Sequence, residues 1–156
     1  MAIADTVRAH LESLDIDYDL VTHPHTSSSQ ETAAAAGVRE DHMAKGVLLK
    51  DADGYLLAVI PGDSWVRFHG LQAELNREFE LAPEPEVESR FSDCDPGAVP
   101  CTGMAYGIET VVDEALASLA FVYFESGDHE HLVRVSGDDF HKLVSGLRHG
   151  HYSHVE

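Results

Sequence analysis

The chain has 156 residues, enough for one domain with a substantial core, and 44% of them are hydrophobic, which excludes a disordered chain. Its 28 acidic residues against 10 basic ones give a formal net charge of −18. That field repels polyanions at low salt and excludes the usual basic nucleic-acid binder, DNA-binding proteins included, although in molar salt the Debye length shrinks to about 3 Å and long-range repulsion is screened.

From the N-terminus, Ile3, Val7, Leu11 and Leu14 fall on one face of a helix over residues 3–14. Residues 18–23 alternate as a short strand. In "SSSQETAAAAG", Ser28 or Ser29 caps a helix, Glu31 sits in its first turn and Gly37 stops it. A hairpin follows, with strand 44–50, the turn "DADG" and strand 55–60, broken by Pro61-Gly62. "DSWVRFHGLQAELN" predicts a helix capped by Asp63 or Ser64, with Phe68, Leu71 and Leu75 on one face. "EFELA" reads as a short strand, and "PEPEVESRFSD" as a helix starting near Pro83 or Pro85.

After the Gly/Pro-rich loop 95–103, "IETVVD" and "LAFVYFES" read as strands around a helical turn, and "HLVRVS" as a further strand. Ser136 and Asp139 form a capping-box-like start to the last helix, "GDDFHKLVSGL". The tail "RHGHYSHVE" is expected to be polar and frayed. No repeat or linker is present. The order predicts an α+β fold: a single compact domain with a mixed, mostly antiparallel sheet flanked by helices, over residues 1–148, followed by a polar tail, 149–156. No phosphate-binding glycine signature occurs. No apolar run reaches the roughly 18 residues of a membrane span, and the N-terminus lacks a signal-peptide pattern, so a cytoplasmic protein without a membrane partner is expected.

Lys45 is the first candidate site residue. It opens a core strand, on the face of Val47 and Leu49, in a chain with three lysines. Such an ammonium either snorkels to water or holds an anion: a phosphate, a carboxylate, or a carbonyl that becomes negative in a transition state. The loop 95–103 is either a plain connection or a cradle of backbone N–H groups, because Gly97 and Gly103 permit close approach and Pro96 and Pro100 stiffen it. "SGDHEH", residues 126–131, is either an ordinary β-turn or a presentation of Ser126 and His129 to a pocket. The 11 histidines include three H-x-H pairs, yet no zinc spacing, so neither metal nor cofactor is expected. Cys94 and Cys101 are expected as reduced thiols, and Cys101 is the better candidate nucleophile of the two.

In order along the chain, "THP…T…ETAAAAG", "KGVLLKD.DGYLLAVIPGD", "PGAVPCTGMAYGIETVVDEAL" and "VYFESGDHEHLVRVSGDDF" resemble the YbaK/prolyl-tRNA-synthetase-associated editing domain family over roughly residues 18–145. The resemblance implies a compact α+β domain that hydrolyses mischarged aminoacyl-tRNA, for example Ala or Cys on tRNA(Pro), in trans or within prolyl-tRNA synthetase. Its partners would then be the acceptor end of the aminoacyl-tRNA and prolyl-tRNA synthetase.

The resemblance places the family's essential lysine on Lys45, beside Gly46. The substrate-binding loop becomes Gly97, Ala98, Val99, Pro100, Cys101, Thr102 and Gly103, and Ser126, Gly127 and His129 complete the pocket. No triad or metal is required, since an aminoacyl ester is already activated and can be attacked by water or by the tRNA's own 2′-hydroxyl. This chain departs from the family at Gly46, where relatives often carry Asn or Thr, and at Cys101 and Thr102, so amino-acid specificity does not carry over. Two rival readings are a catalytically silent nucleotide- or aminoacyl-binding module and an unrelated hydrolase using Cys101.

Overall fold

A computed structural model describes residues 3–155; Met1, Ala2 and Glu156, the outer limits of the expected domain and tail, lie outside them. The elements in chain order are α1 (Asp5–Ser13), β1 (Asp19–Thr22), α2 (Ser29–Ala36), β2 (Ala44–Lys50), β3 (Tyr55–Pro61), β4 (Ser64–Val66), α3 (Phe68–Leu75), β5 (Glu80–Leu81), α4 (Glu84–Arg90), β6 (Glu109–Asp113), β7 (Phe121–Glu125), β8 (His131–Ser136), α5 (Gly137–Leu143), β9 (Arg148–Gly150) and β10 (Ser153–Val155), with short 3₁₀ turns between some of them.

The hairpin β2–β3 organises the chain. Asp51 Oδ1 accepts from the N–H groups of Asp53 and Gly54, each at 3.0 Å, and sets the turn. The uninterrupted apolar run of β3 makes it the central strand, antiparallel to β2 and parallel to β6. Its residues alternate between two cores. Leu57 and Val59 join Val7, Leu11, Phe91, Phe124 and Phe140, whereas Leu56, Ala58 and Ile60 join Leu71, Phe79 and Tyr152. The full sheet runs β5-β2-β3-β6-β9, a second is β1-β8-β7, and a third pairs β10 with β4. The mixed, mostly antiparallel α+β expectation therefore holds.

Two of the three predicted caps form. Ser28 Oγ accepts from Glu31 N at 3.1 Å with Gly37 left-handed at the far end of α2, and Ser136 Oγ accepts from Asp139 N at 3.1 Å.

Two expectations are corrected. Residues 64–66 are a strand and not the first turn of a helix; α3 starts at Phe68 without a capping side chain. The cause lies far along the chain. Residues 148–155, expected to fray, form β9 and β10, and β10 pairs with β4 in the register His154↔Trp65. The buried carboxylate of Asp113 fixes this return, accepting from Tyr152 N at 2.9 Å and Ser153 Oγ at 2.7 Å, and Tyr152 itself is buried. A local pattern of helix-forming residues lost to long-range pairing.

Candidate functional site

A cavity of about 580 Å³ opens over the start of β2. Lys45 to Leu48 form its floor. Ser27, Ser28 and Ser29, at the N-terminus of α2, form one wall. Trp65, 57% exposed, and Leu81, 60% exposed, stand on its rim. Gly97, Val99, Glu125 and His129 close the far side. A smaller recess of about 210 Å³ continues past Lys45 and Trp65 to Glu40 and Asp63.

Lys45 is half-buried. Its Nζ donates to Gly62 O at 3.2 Å and lies 5.5 Å from the centroid of the Trp65 ring. Desolvation lowers its pKa, opposed by Glu40 and Asp63. Among the described residues it forms no ion pair, whereas Lys50 meets Glu86 at 3.0 Å and Lys142 meets Asp139 at 3.6 Å. A partly desolvated ammonium without an ion pair among the described residues thus shares this part of the cavity with the positive end of α2 and with Glu40 and Asp63.

The loop 95–103 is clasped to the turn 126–131. Asp95 N donates to Gly127 O at 2.7 Å, and His129 Nε2 donates to Pro96 O at 2.6 Å. That bond leaves the lone pair of a neutral His129 on Nδ1, which is buried with no partner among the described residues. His129 holds a left-handed backbone, φ 61°, a strained state for a residue with a side chain. Gly97, φ 82°, needs no Cβ, and one placed there would touch the His129 ring at 3.4 Å. Within the loop, Ala98 N–H bonds Asp95 O at 3.0 Å, while the N–H groups of Gly97 and Val99 have no acceptor among the described residues. Both residues line the cavity.

Only part of the expected site lines the cavity: Lys45, Gly46, Gly97, Val99 and His129. Ala98, Pro100, Cys101, Thr102 and Gly103 are buried beneath it. Cys101 is 1% exposed and burial pushes its thiol far up, while Cys94 is pushed up to about 12, so neither offers a thiolate. Gly103 is small because Thr110 and Leu57 leave no room for a Cβ. Ser126 is buried and donates to Asp128 Oδ1 and His131 O, holding the turn together. Gly127 makes room for Ala4 and Cys94. Gly46, where a side chain seemed missing, seats the loop: a Cβ there would lie 2.9 Å from Pro100 O.

Two site residues escape the sequence reading, Trp65 and Glu125. Glu125 closes β7 with Oε2 buried and unpartnered among the described residues. Burial pushes its carboxyl up to about 7; nearby His129 opposes the shift and Asp128 adds to it. Lys45 and Glu125 line the same cavity and form no ion pair with each other. No group of three or more His, Cys, Asp or Glu among the described residues is arranged to hold a metal ion, and no described helix is long and apolar enough to cross a membrane.

The profile of the aminoacyl-tRNA editing domain matches residues 23–143. No curated protein matches the sequence. Among solved structures, the chain is similar to hypothetical protein APE2540, with a TM-score of 0.85 at 24% identity over 96% of this chain and 100% of that one. It is similar to a candidate trans-editing enzyme for prolyl tRNA synthetase, with a TM-score of 0.83 at 20% identity over 97% of this chain and 96% of that one. It also matches 30% of a candidate signal transduction protein from Marinobacter aquaeolei VT8, with a TM-score of 0.78 at 20% identity over 97% of this chain. At these identities the likeness concerns the fold.

Proposed function

Because the chain belongs to the aminoacyl-tRNA editing domain family, we propose that it is a deacylase acting in trans, which hydrolyses the ester of a mischarged tRNA such as Ala- or Cys-tRNA(Pro). The observation that carries this reading is Lys45: in a chain of net charge −18, it is half-buried, points into the cavity, and has no carboxylate partner among the described residues.

Lys45 and the start of α2 hold the phosphate of the terminal adenosine. Trp65, exposed above Lys45, offers its face to the adenine, because every base has a π-face to stack. The ester then lies along the floor toward Gly97 and Val99. Their N–H groups donate to the carbonyl oxygen as it becomes negative when a water, oriented by the neighbouring 2′-hydroxyl, attacks the carbonyl carbon; the C–O bond to the ribose then breaks, and the proton lost by the water goes to the leaving ribose oxygen, which releases a free amino acid and the tRNA. Holding an activated ester in this geometry supplies much of the acceleration. The partners on this reading are the acceptor end of the tRNA and, through it, prolyl-tRNA synthetase; the cytoplasm is where both would be met.

The test is deacylation of a panel of charged tRNAs led by Ala-, Cys- and Ser-tRNA(Pro), with wild type and Lys45→Ala, at low and molar salt. Lys45-dependent hydrolysis of one species is expected. The acidic surface predicts that the rate rises with salt, opposite to the usual loss of nucleic-acid binding as salt rises. A well-folded protein that hydrolyses none of them overturns the reading in favour of a binding module.

A further inference from the structure

The far side of the cavity is chemically unlike the Lys45 side. Glu125 presents a carboxyl group there, with Oε2 buried and unpaired among the described residues. Among the described residues that line the cavity, Lys45 is the one lysine or arginine, and the histidine that lines it, His129, has its Nε2 engaged by Pro96 O. A partly buried carboxyl with one oxygen unpartnered is costly to ionise, and a cationic group of the ligand at that oxygen would offset the cost. An aminoacyl ester carries one cationic group, its α-ammonium, and in a substrate whose phosphate is at Lys45 that ammonium lies at the opposite end, beyond the ester carbonyl.

We propose that Glu125 is the binding partner of the substrate's α-ammonium group, so that the cavity selects esters with a free amine over N-acylated ones. The clasped turn sets the position of this carboxyl: Glu125 closes β7, Ser126 and Asp128 hold the turn that follows, and His129 locks it to the loop that carries Gly97. The loop that carries the carbonyl donors and the strand end that carries the ammonium acceptor are thereby tied to one another. The cavity is also lined by Val87 and Val99, which suits a small apolar side chain. This inference rests on reading the cavity as an aminoacyl-ester site, and not on whether the ester is hydrolysed.

The test uses two non-hydrolysable probes, 3′-alanylamino-3′-deoxyadenosine and its N-acetyl form. Their binding to wild type, Glu125→Gln and Glu125→Asp is measured by calorimetry, with thermal unfolding as the check on folding. Wild type should bind the free amine about 10- to 100-fold more tightly than the N-acetyl form, as expected of a hydrogen bond between charged groups. Glu125→Gln should bring the two affinities together without changing the N-acetyl value, and Glu125→Asp should keep part of the preference.

A wild type that binds neither probe or does not prefer the amine, or a preference that survives in Glu125→Gln, overturns the proposal. Turnover is read separately on charged tRNA. Amine preference without hydrolysis would remove the deacylase reading and leave this one standing; hydrolysis without amine preference would do the reverse.

Discussion

The strand β2 carries a lysine at each end, and the two ends live differently. Lys50 is paired with Glu86, which also accepts from Tyr55 OH at 2.5 Å, and next to it Arg77 bridges Asp51 at 2.6 Å and Glu109 at 2.8 Å. At that end Lys50, Glu86, Asp51, Arg77 and Glu109 find their counterparts within the fold. At the other end Lys45 has a carbonyl and an aromatic face in contact, and Glu40 and Asp63 act on it without forming an ion pair. Similar residues on one strand are thus arranged for shape in one place and left incomplete in the other. On the proposed function, the partner that Lys45 lacks within the fold is supplied by the ligand.

The sharpest way to break this comparison is Lys45→Ala. Removing a group that serves only the ligand should lower kcat/KM at least about 100-fold while leaving the melting temperature unchanged within error or raised, since the ammonium is partly desolvated without an ion-pair partner. A large loss of stability would mean that Lys45 belongs to the scaffold like Lys50. Trp65→Ala comes next. Loss of one stacked base should raise KM about tenfold, again with little effect on unfolding because the ring is 57% exposed.

Gly46→Ala probes the floor between the two ends. The added Cβ meets Pro100 O at 2.9 Å, so the loop must lift, at a cost of about 1–3 kcal/mol and a fall of about 2–10 °C in melting temperature, with a moderate loss of activity as the Gly97 and Val99 donors move. Arg77→Gln should act only on stability and give the smallest effect on turnover. The Arg77 guanidinium holds the Asp51 carboxyl at about 2, below its unfolded value of roughly 3.9. The pair therefore stabilises the fold above about pH 4, and that contribution fades as pH falls from 4 to 2. Urea unfolding across this range should show the decline in wild type and a flatter profile in Arg77→Gln.

Local signals carried much of this arrangement. The DADG turn, the serine caps and the continuous apolar run of β3 are short-range instructions that the fold obeys, and Lys45 stands out on its strand by type alone. What the sequence did not reveal depends on distant partners. Trp65 read as the first turn of a helix because nothing near it announces β10, and residues 148–155 read as a tail because their partners, Asp113 and β4, lie tens of residues earlier. Glu125 sat unremarked in a stretch of acids; only burial distinguishes it from its neighbours. Conversely, Pro100 to Gly103, Ser126 and Gly127 carry the residue types of a binding loop, but tertiary packing turns them inward, where they support the wall and do not form its surface.

The register His154↔Trp65 also bears on how the molecule comes into being. A ribosome delivers residues in order, so the hairpin that bears Lys45 can fold while much of the chain is unmade. The strand that displays Trp65 cannot settle until residue 155 exists. A nascent chain therefore carries Lys45 long before the Trp65 rim has settled, and on the proposed function capture of an acceptor end waits for the synthesis of residue 155.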